Sequence, residues 1–192
     1  VQQINTKTEI PLLFTIRAEH EGGENILLND EEKVQLITEI CRNTSVDLID
    51  FETSNEKQYV TTVRNVTKEN DKQLILSYHH FSETPSDEEL VNRAKQAEEY
   101  GADMIKLAVM PRSKEDVFRL LEVTRRIDNM IDKPIITMSM GEVGAISRVI
   151  GWIYGSVLTF GVGVKSSAPG QIPVKELREA IEKTKKLVPK WM

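Results

Sequence analysis

Apolar residues in this chain gather in short runs, separated by longer stretches where they recur every three or four positions between charged residues. The short runs are strand candidates: Ile10 to Arg17, Asp47 to Phe51, Gln73 to Tyr78, Met104 to Ala108, Pro134 to Met138 and Ser156 to Phe160. Between them lie helical patterns with readable ends. In "SDEELVNRAKQAEEYGAD", Ser86 opens a capping box that Glu89 completes, and Gly101 supplies the stop. "SKEDVFRLLEVTRRIDNMID" repeats that grammar from Ser113. Strands alternating with helices predict α/β architecture with a parallel sheet. No Gly/Pro/Ser-rich linker interrupts the alternation, so residues 1–192 read as one domain.

Strands of a parallel sheet are buried on both faces, and here most of the apolar runs end in something polar. Their carboxyl ends give Arg17, Glu52, His79, Lys106 and Ser139, followed by the loop "KSSAPGQ". Catalytic residues gather at that end of a (β/α)₈ TIM barrel. An open doubly wound sheet would carry a glycine-rich phosphate loop after its first strand, and none is present. "EGGE" at Glu21 to Glu24 is acidic and too close to the strand for that role. The expectation is therefore a TIM-barrel type fold, as an incomplete barrel of about six βα units: a full barrel takes about 250 residues and this chain has 192.

Composition narrows the function. A net charge of −5 with both signs interspersed argues against a nucleic-acid surface. The lysines of the tail "EKTKKLVPKWM" suit a helix C-terminus. The lone Cys41 allows no internal disulfide and no Cys/His zinc cluster, which points to a reducing cytoplasm. No window approaches the roughly 20 apolar residues of a membrane span, and no leader pattern precedes the first strand. The chain opens at Val1 in polar, helix-like "VQQINTKTE".

Lys106 lies among apolar residues in "DMIKLAVMP". It reads either as a gatekeeper on a strand edge or as a buried amine whose lowered pKa lets it attack a carbonyl; the apolar surroundings favour the amine. Adjacent strand residues point to opposite faces, so at most one of His79 and His80 addresses a given site. His79 directly follows the strand run, whereas His80 begins the turn, and an imidazole suits proton transfer near neutral pH. Glu52 could orient an imidazole or simply be a solvated acid. Arg17 and Arg148 could grip a carboxylate; Arg148, with apolar neighbours, is the stronger candidate. "SSAPGQ", with Ser167 and Gln171, has the composition of a mobile flap and equally that of an ordinary loop.

Together these stretches resemble the type I 3-dehydroquinate dehydratases of the shikimate pathway. The resemblance rests on "PLLFTIR", "EGGE", "DLIDFE", "SYHHFSETP", "GADMIKLAVMP", "KPIITMSMGEVGAISR", "GSVLTFG" and "SSAPGQI", in family order from Pro11 to Ile172. It implies a lyase that uses no cofactor. Lys106 would form an imine with the C3 ketone of 3-dehydroquinate, and His79 would take a proton from C2 and deliver it to the departing C1 hydroxyl, giving 3-dehydroshikimate. Glu52 would orient His79; Arg148, Ser167 and Gln171 would bind the substrate carboxylate; Arg17 would contact ring hydroxyls. Met138, Met140 and Phe160 would form apolar walls, and a homo-oligomer, a dimer, is expected. Tyr78 departs from the family, which commonly has asparagine there, and "FETSN" replaces a more apolar continuation. No match to the family's first two βα units is found, so the chain resembles its last three-quarters. A weakly active or non-catalytic relative and a Schiff-base aldolase are the alternatives.

Overall fold

The structure, a computed structural model, describes residues 10–188. The helix-like start expected over residues 1–9 and the last four residues of the tail lie outside the described residues. Five strands form: β1 (Leu13–Thr15), β2 (Leu48–Glu52), β3 (Gln73–His80), β4 (Met104–Val109) and β5 (Ile135–Ser139). The helices are α1 (Asp30–Asn43), α2 (Lys57–Glu69), α3 (Asp87–Glu99), α4 (Lys114–Asp128), the short α5 (Gly141–Gly144) and α6 (Ser147–Ile150), and α7 (Val174–Leu187). The strands stand in chain order, β1-β2-β3-β4-β5. A doubly wound sheet reverses its order at a switch point, so an unreversed order is that of the barrel class expected from the sequence. Pairing is parallel where β1 meets β2 (Leu13 opposite Leu48) and where β2 meets β3 (Asp50 opposite Ile75, Glu52 opposite Ser77).

The described residues pack as two compact units, residues 10–78 with Arg93–Lys106, and His79–Asn92 with residues 107–188. In the first, Ile49 of β2 and Leu74, Ile75 and Leu76 of β3 are fully buried, as consecutive apolar residues of an interior parallel strand should be. α1 begins at a complete capping box between Asn29 and Glu32 and packs on α2. Asp103, just before β4, accepts from the Leu74 N–H at 2.8 Å and from Arg64 Nη1 at 2.6 Å, tying β3 and α2 to the start of β4. Tyr78, the residue that departs from the family pattern, is buried with the Arg93 guanidinium 4.5 Å from its ring centroid.

In the second unit α4 starts where Ser113 caps the Asp116 N–H, and it lies against β5 with Thr124 and Thr137 hydroxyls 2.8 Å apart in the core. The sixth strand expected over Ser156 to Phe160 does not form. Ser156 makes one parallel bridge to Ile135, and the ladder stops there. The physical reason lies in the hydrogen bonds available. Ser156 Oγ takes the Thr137 N–H at 3.0 Å, and the Phe160 carbonyl accepts from Arg148 at 3.2 Å instead of from a strand. Val157 is left 57% exposed. The strand expected over Met104 to Ala108 forms as β4 and runs one residue further, to Val109, with Lys106 inside it.

Candidate active site

The first unit builds a polar cluster from alternate positions of neighbouring strands. Period-two alternation puts Asp50 and Glu52 on one face of β2, with Ile49 and Phe51 on the other. Lys106, 7% exposed, reaches Asp50 Oδ2 with its Nζ at 2.7 Å. Strands β2 and β4 flank β3, so their axes are roughly 9–10 Å apart, and the residue of β3 beside Asp50 and Glu52 must be small for that bond to close. It is Ser77, whose hydroxyl donates to Asp50 Oδ1 at 2.6 Å.

Arg17 completes the cluster. Its Nη2 bonds Asp50 Oδ1 at 2.7 Å, and its Nη1 bonds Glu52 Oε1 at 2.7 Å and Ser77 Oγ at 2.9 Å. Glu52 also accepts the Ala18 N–H at 2.9 Å and Asn55 Nδ2 at 3.2 Å. Its carboxylate thus holds Arg17 and the backbone after β1. Arg17 keeps its Nε–H and one Nη2–H unengaged among the described residues, so the guanidinium retains donors for a ligand. Gly23 lies where any side chain would collide with the Arg17 carbonyl, which is what "EGGE" contributes to this turn. Buried Glu21 of the same motif accepts from Ser54 Oγ at 2.5 Å.

Two cations and two carboxylates thus share a small buried volume. Burial pushes the Lys106 ammonium below an ordinary lysine; Asp50 opposes that push and Arg17 reinforces it. Burial also disfavours the Arg17 charge, but Asp50 and Glu52 more than offset it, so this guanidinium is held above its ordinary value. Removing one partner from such a set typically costs about 3–5 kcal/mol, because it strands a buried charge.

The second unit holds the other candidates. His79 shares a face of β3 with Ser77, and His80 falls on the opposite face with Tyr78. His80 has work in the turn: its Nδ1 accepts the Glu83 N–H at 3.2 Å and its carbonyl accepts the Met110 N–H at 2.9 Å. Arg148 is 2% exposed. Its Nε donates to Gly170 O at 3.0 Å, its Nη2 to Pro169 O at 3.1 Å, and its Nη1 to Phe160 O at 3.2 Å and to Met138 Sδ at 3.4 Å. No carboxylate pairs with it among the described residues, and burial alone lowers its pKa. A buried cation held only by neutral acceptors has a charge that an anion would balance.

The loop of Ser167 and Gln171 closes on itself, Gln171 Oε1 taking the Ser167 N–H at 2.9 Å. Gly170, at φ 72°, packs where a Cβ would strike the Gly141 carbonyl, and the Gly141 N–H reaches Pro169 O at 3.2 Å. The loop is therefore docked on Arg148 and the start of α5. Met138 and Met140 are buried beside it, and Phe160 is half-buried.

Sequence reasoning passed over Asp50 and Ser77. Their signal was the alternation itself: in "DLIDFE" Asp50 stands two before Glu52, and in "LSYH" Ser77 stands two before His79. Among the described residues no group of three or more His, Cys, Asp or Glu is arranged to hold a metal ion.

The chain is similar to known proteins along most of its length. The sequence model described as Type I 3-dehydroquinase matches residues 1–187. A 3-dehydroquinate dehydratase of Geobacillus sp. (strain WCH70) is 49% identical over 173 residues, covering 90% of this chain and 66% of that relative. The chain thus spans just under two thirds of that relative's length. The crystal structure of 3-dehydroquinate dehydratase from Geobacillus kaustophilus HTA426 matches at TM-score 0.94 and 45% identity, over 96% of this chain and 72% of that one. The type I enzyme of Clostridium difficile, crystallised with covalently modified comenic acid, matches at TM-score 0.89 and 42% identity, over 94% and 71%. With a family match along nearly its whole length and a fold that superposes on solved members, the chain belongs to the type I 3-dehydroquinases.

Proposed function

We propose that this chain carries the chemistry of a 3-dehydroquinate dehydratase, the lyase that converts 3-dehydroquinate to 3-dehydroshikimate. The observation that carries the reading is the buried Lys106, whose ammonium is destabilised by burial and yet held in place at 2.7 Å from Asp50. A neutral amine at that nitrogen attacks the C3 carbonyl, and loss of water leaves an iminium. The iminium draws electrons from the adjacent C2–H bond. His79 takes that proton, an enamine forms, and the electron pair then expels the C1 hydroxyl as His79 returns a proton to it. Hydrolysis of the conjugated imine frees the amine and the product. The Clostridium difficile relative, in its structure with covalently modified comenic acid, supports covalent chemistry in this family.

Arg148 supplies its charge and its one remaining Nη2–H to the substrate carboxylate, with Ser167 and Gln171 from the docked loop. Arg17, through its unengaged N–H groups, meets ring hydroxyls. Glu52 acts as a positioning residue that fixes Arg17. The resemblance assigns Glu52 to His79; its 2.7 Å bond from Arg17 Nη1 supports service to Arg17.

The cytoplasmic setting and the dimer belong to the same proposal. The single Cys41, buried and with its thiol pushed up chiefly by burial, supports a reducing compartment. Exposed apolar positions such as Ile10 and Val157 support self-association, which solution mass measurement tests. Among the described residues no helix is long and apolar enough to cross a membrane. The activity is tested by incubating the chain with 3-dehydroquinate and following the ultraviolet absorbance of the conjugated product. Turnover that Lys106→Ala abolishes is the expected result, and absence of turnover in the unmodified chain overturns the reading.

A further inference from the structure

We propose that Asp50 is the counter-ion that the Lys106 nitrogen keeps from ammonium to iminium, locked in place by Arg17 and Ser77. The inference rests on the imine-forming reading of Lys106 and adds a positioning residue to it.

Asp50 is 1% exposed, and its two oxygens have separate duties. Oδ1 takes Arg17 Nη2 at 2.7 Å and the Ser77 hydroxyl at 2.6 Å. Oδ2 takes Lys106 Nζ at 2.7 Å. With Oδ1 held from two sides, the carboxyl plane cannot swing, so Oδ2 marks one fixed direction from the lysine nitrogen.

The bookkeeping of imine formation shows why a fixed acceptor matters. The ammonium begins with three protons and one positive charge. One proton leaves, and the freed lone pair forms the N–C bond while the carbonyl π pair moves to oxygen. A second proton leaves the nitrogen, its lone pair forms C=N, and the C–O bond breaks. Both protons depart on the oxygen as water. Nitrogen ends with one proton and the same positive charge it began with. The proton that stays needs an acceptor that has not moved, and Oδ2 is that acceptor.

Between those ends lies a neutral carbinolamine, and there a lone Asp50 would be a buried, unpaired carboxylate. Arg17 prevents this, because a guanidinium cannot lose its proton and still bonds Oδ1. The cluster therefore lets Lys106 drop and regain its charge without stranding Asp50 at any stage. Ser77 contributes smallness as well as its hydroxyl, since a larger residue on β3 would fill the gap across which β2 and β4 side chains meet.

The test traps the imine in two ways on the intact chain. In the first arm 3-dehydroquinate and cyanoborohydride are added and the rate of adduct formation is read by intact mass across substrate concentrations. In the second arm formaldehyde and cyanoborohydride methylate lysines, and peptide mass gives the rate at Lys106 relative to an exposed lysine such as Lys185. Asp50→Asn is expected to lower the saturating trapping rate on the order of 10²-fold, with the half-saturating concentration changed less than about threefold, and Asp50→Glu is expected to restore part of the rate. The formaldehyde arm is expected to show the same loss at Lys106 only. A purely structural Asp50 would lower trapping through the folded fraction and would gain nothing from a longer carboxylate. Should Asp50→Asn fail to fold, Ser77→Ala keeps every charge and is expected to slow both arms about tenfold by loosening Oδ1. Unchanged Lys106 rates in whichever variant folds overturn the proposal. Failure of the unmodified chain to react with 3-dehydroquinate, with formaldehyde still discriminating the variants, would instead overturn the substrate reading and leave the Asp50 assignment supported.

Discussion

Lys106 and Arg148 are both cations removed from water, and their surroundings are opposite. Lys106 lies in a set that balances itself, two cations against the carboxylates of Asp50 and Glu52. Arg148 has carbonyls and a sulfur around it and no carboxylate among the described residues. The first arrangement suits chemistry at the nitrogen, because charge can leave and return without an orphan forming. The second suits binding, because its electrostatic need is met only by an anion from outside. Burial is common to the two cations, and what distinguishes them is their neighbours.

The sharpest way to break the comparison is to remove His79, the proton carrier of the proposed reaction. His79→Ala is expected to lower kcat by about 10³-fold, while borohydride trapping of the imine persists. His80→Ala should stay within about tenfold, roughly 1.4 kcal/mol, because its ring serves the turn through Glu83. Equal losses in the two variants, or a larger one for His80, would assign the chemistry to the wrong face of β3.

Arg148→Lys probes the open side. The charge stays, but an ammonium has three donors, and gripping three carbonyls leaves it none for a carboxylate. KM for 3-dehydroquinate is expected to rise about 10–100-fold with kcat changed much less, the loss of a charge-assisted hydrogen bond or two. A fall in kcat at unchanged KM would make Arg148 part of the chemistry.

The smallest effect is the most diagnostic of the closed side. Only the neutral amine attacks, so trapping should rise with pH and level off above the Lys106 pKa. Burial, the largest influence, depresses that pKa, so the levelling comes below the pH of an ordinary lysine. Asp50 raises it, so Asp50→Asn should move the levelling to still lower pH; Glu52→Gln should move it the same way by less. A profile that keeps rising to the ordinary lysine range would show that Lys106 is not desolvated.

Much of this was readable in the sequence, for reasons that also explain what was not. The runs that became β2 through β5 are rich in apolar residues because both faces are buried, and Ser86 and Ser113 cap the helices they announce. Lys106 stood out because a charge in such a run has no cheap explanation. Asp50 did not, since "DLIDFE" already offers a terminal acid and an acid two residues earlier carries no separate signal in composition. Ser156 to Phe160 has the composition of a strand, yet a strand needs a ladder, and here a guanidinium takes the Phe160 carbonyl. The partners of Arg148 were illegible for a related reason: every residue carries a carbonyl, and only the fold decides which ones converge.

The central claim is that one buried amine does the covalent chemistry, and the direct measurement is to locate the bond. The chain is incubated with 3-dehydroquinate, reduced with borohydride and digested, and each lysine-containing peptide is weighed. The account predicts one reduced ligand per chain, carried by the peptide that contains Lys106 and absent from Lys106→Ala. The same mass on a peptide bearing any other lysine, with Lys106 unmodified, would contradict it.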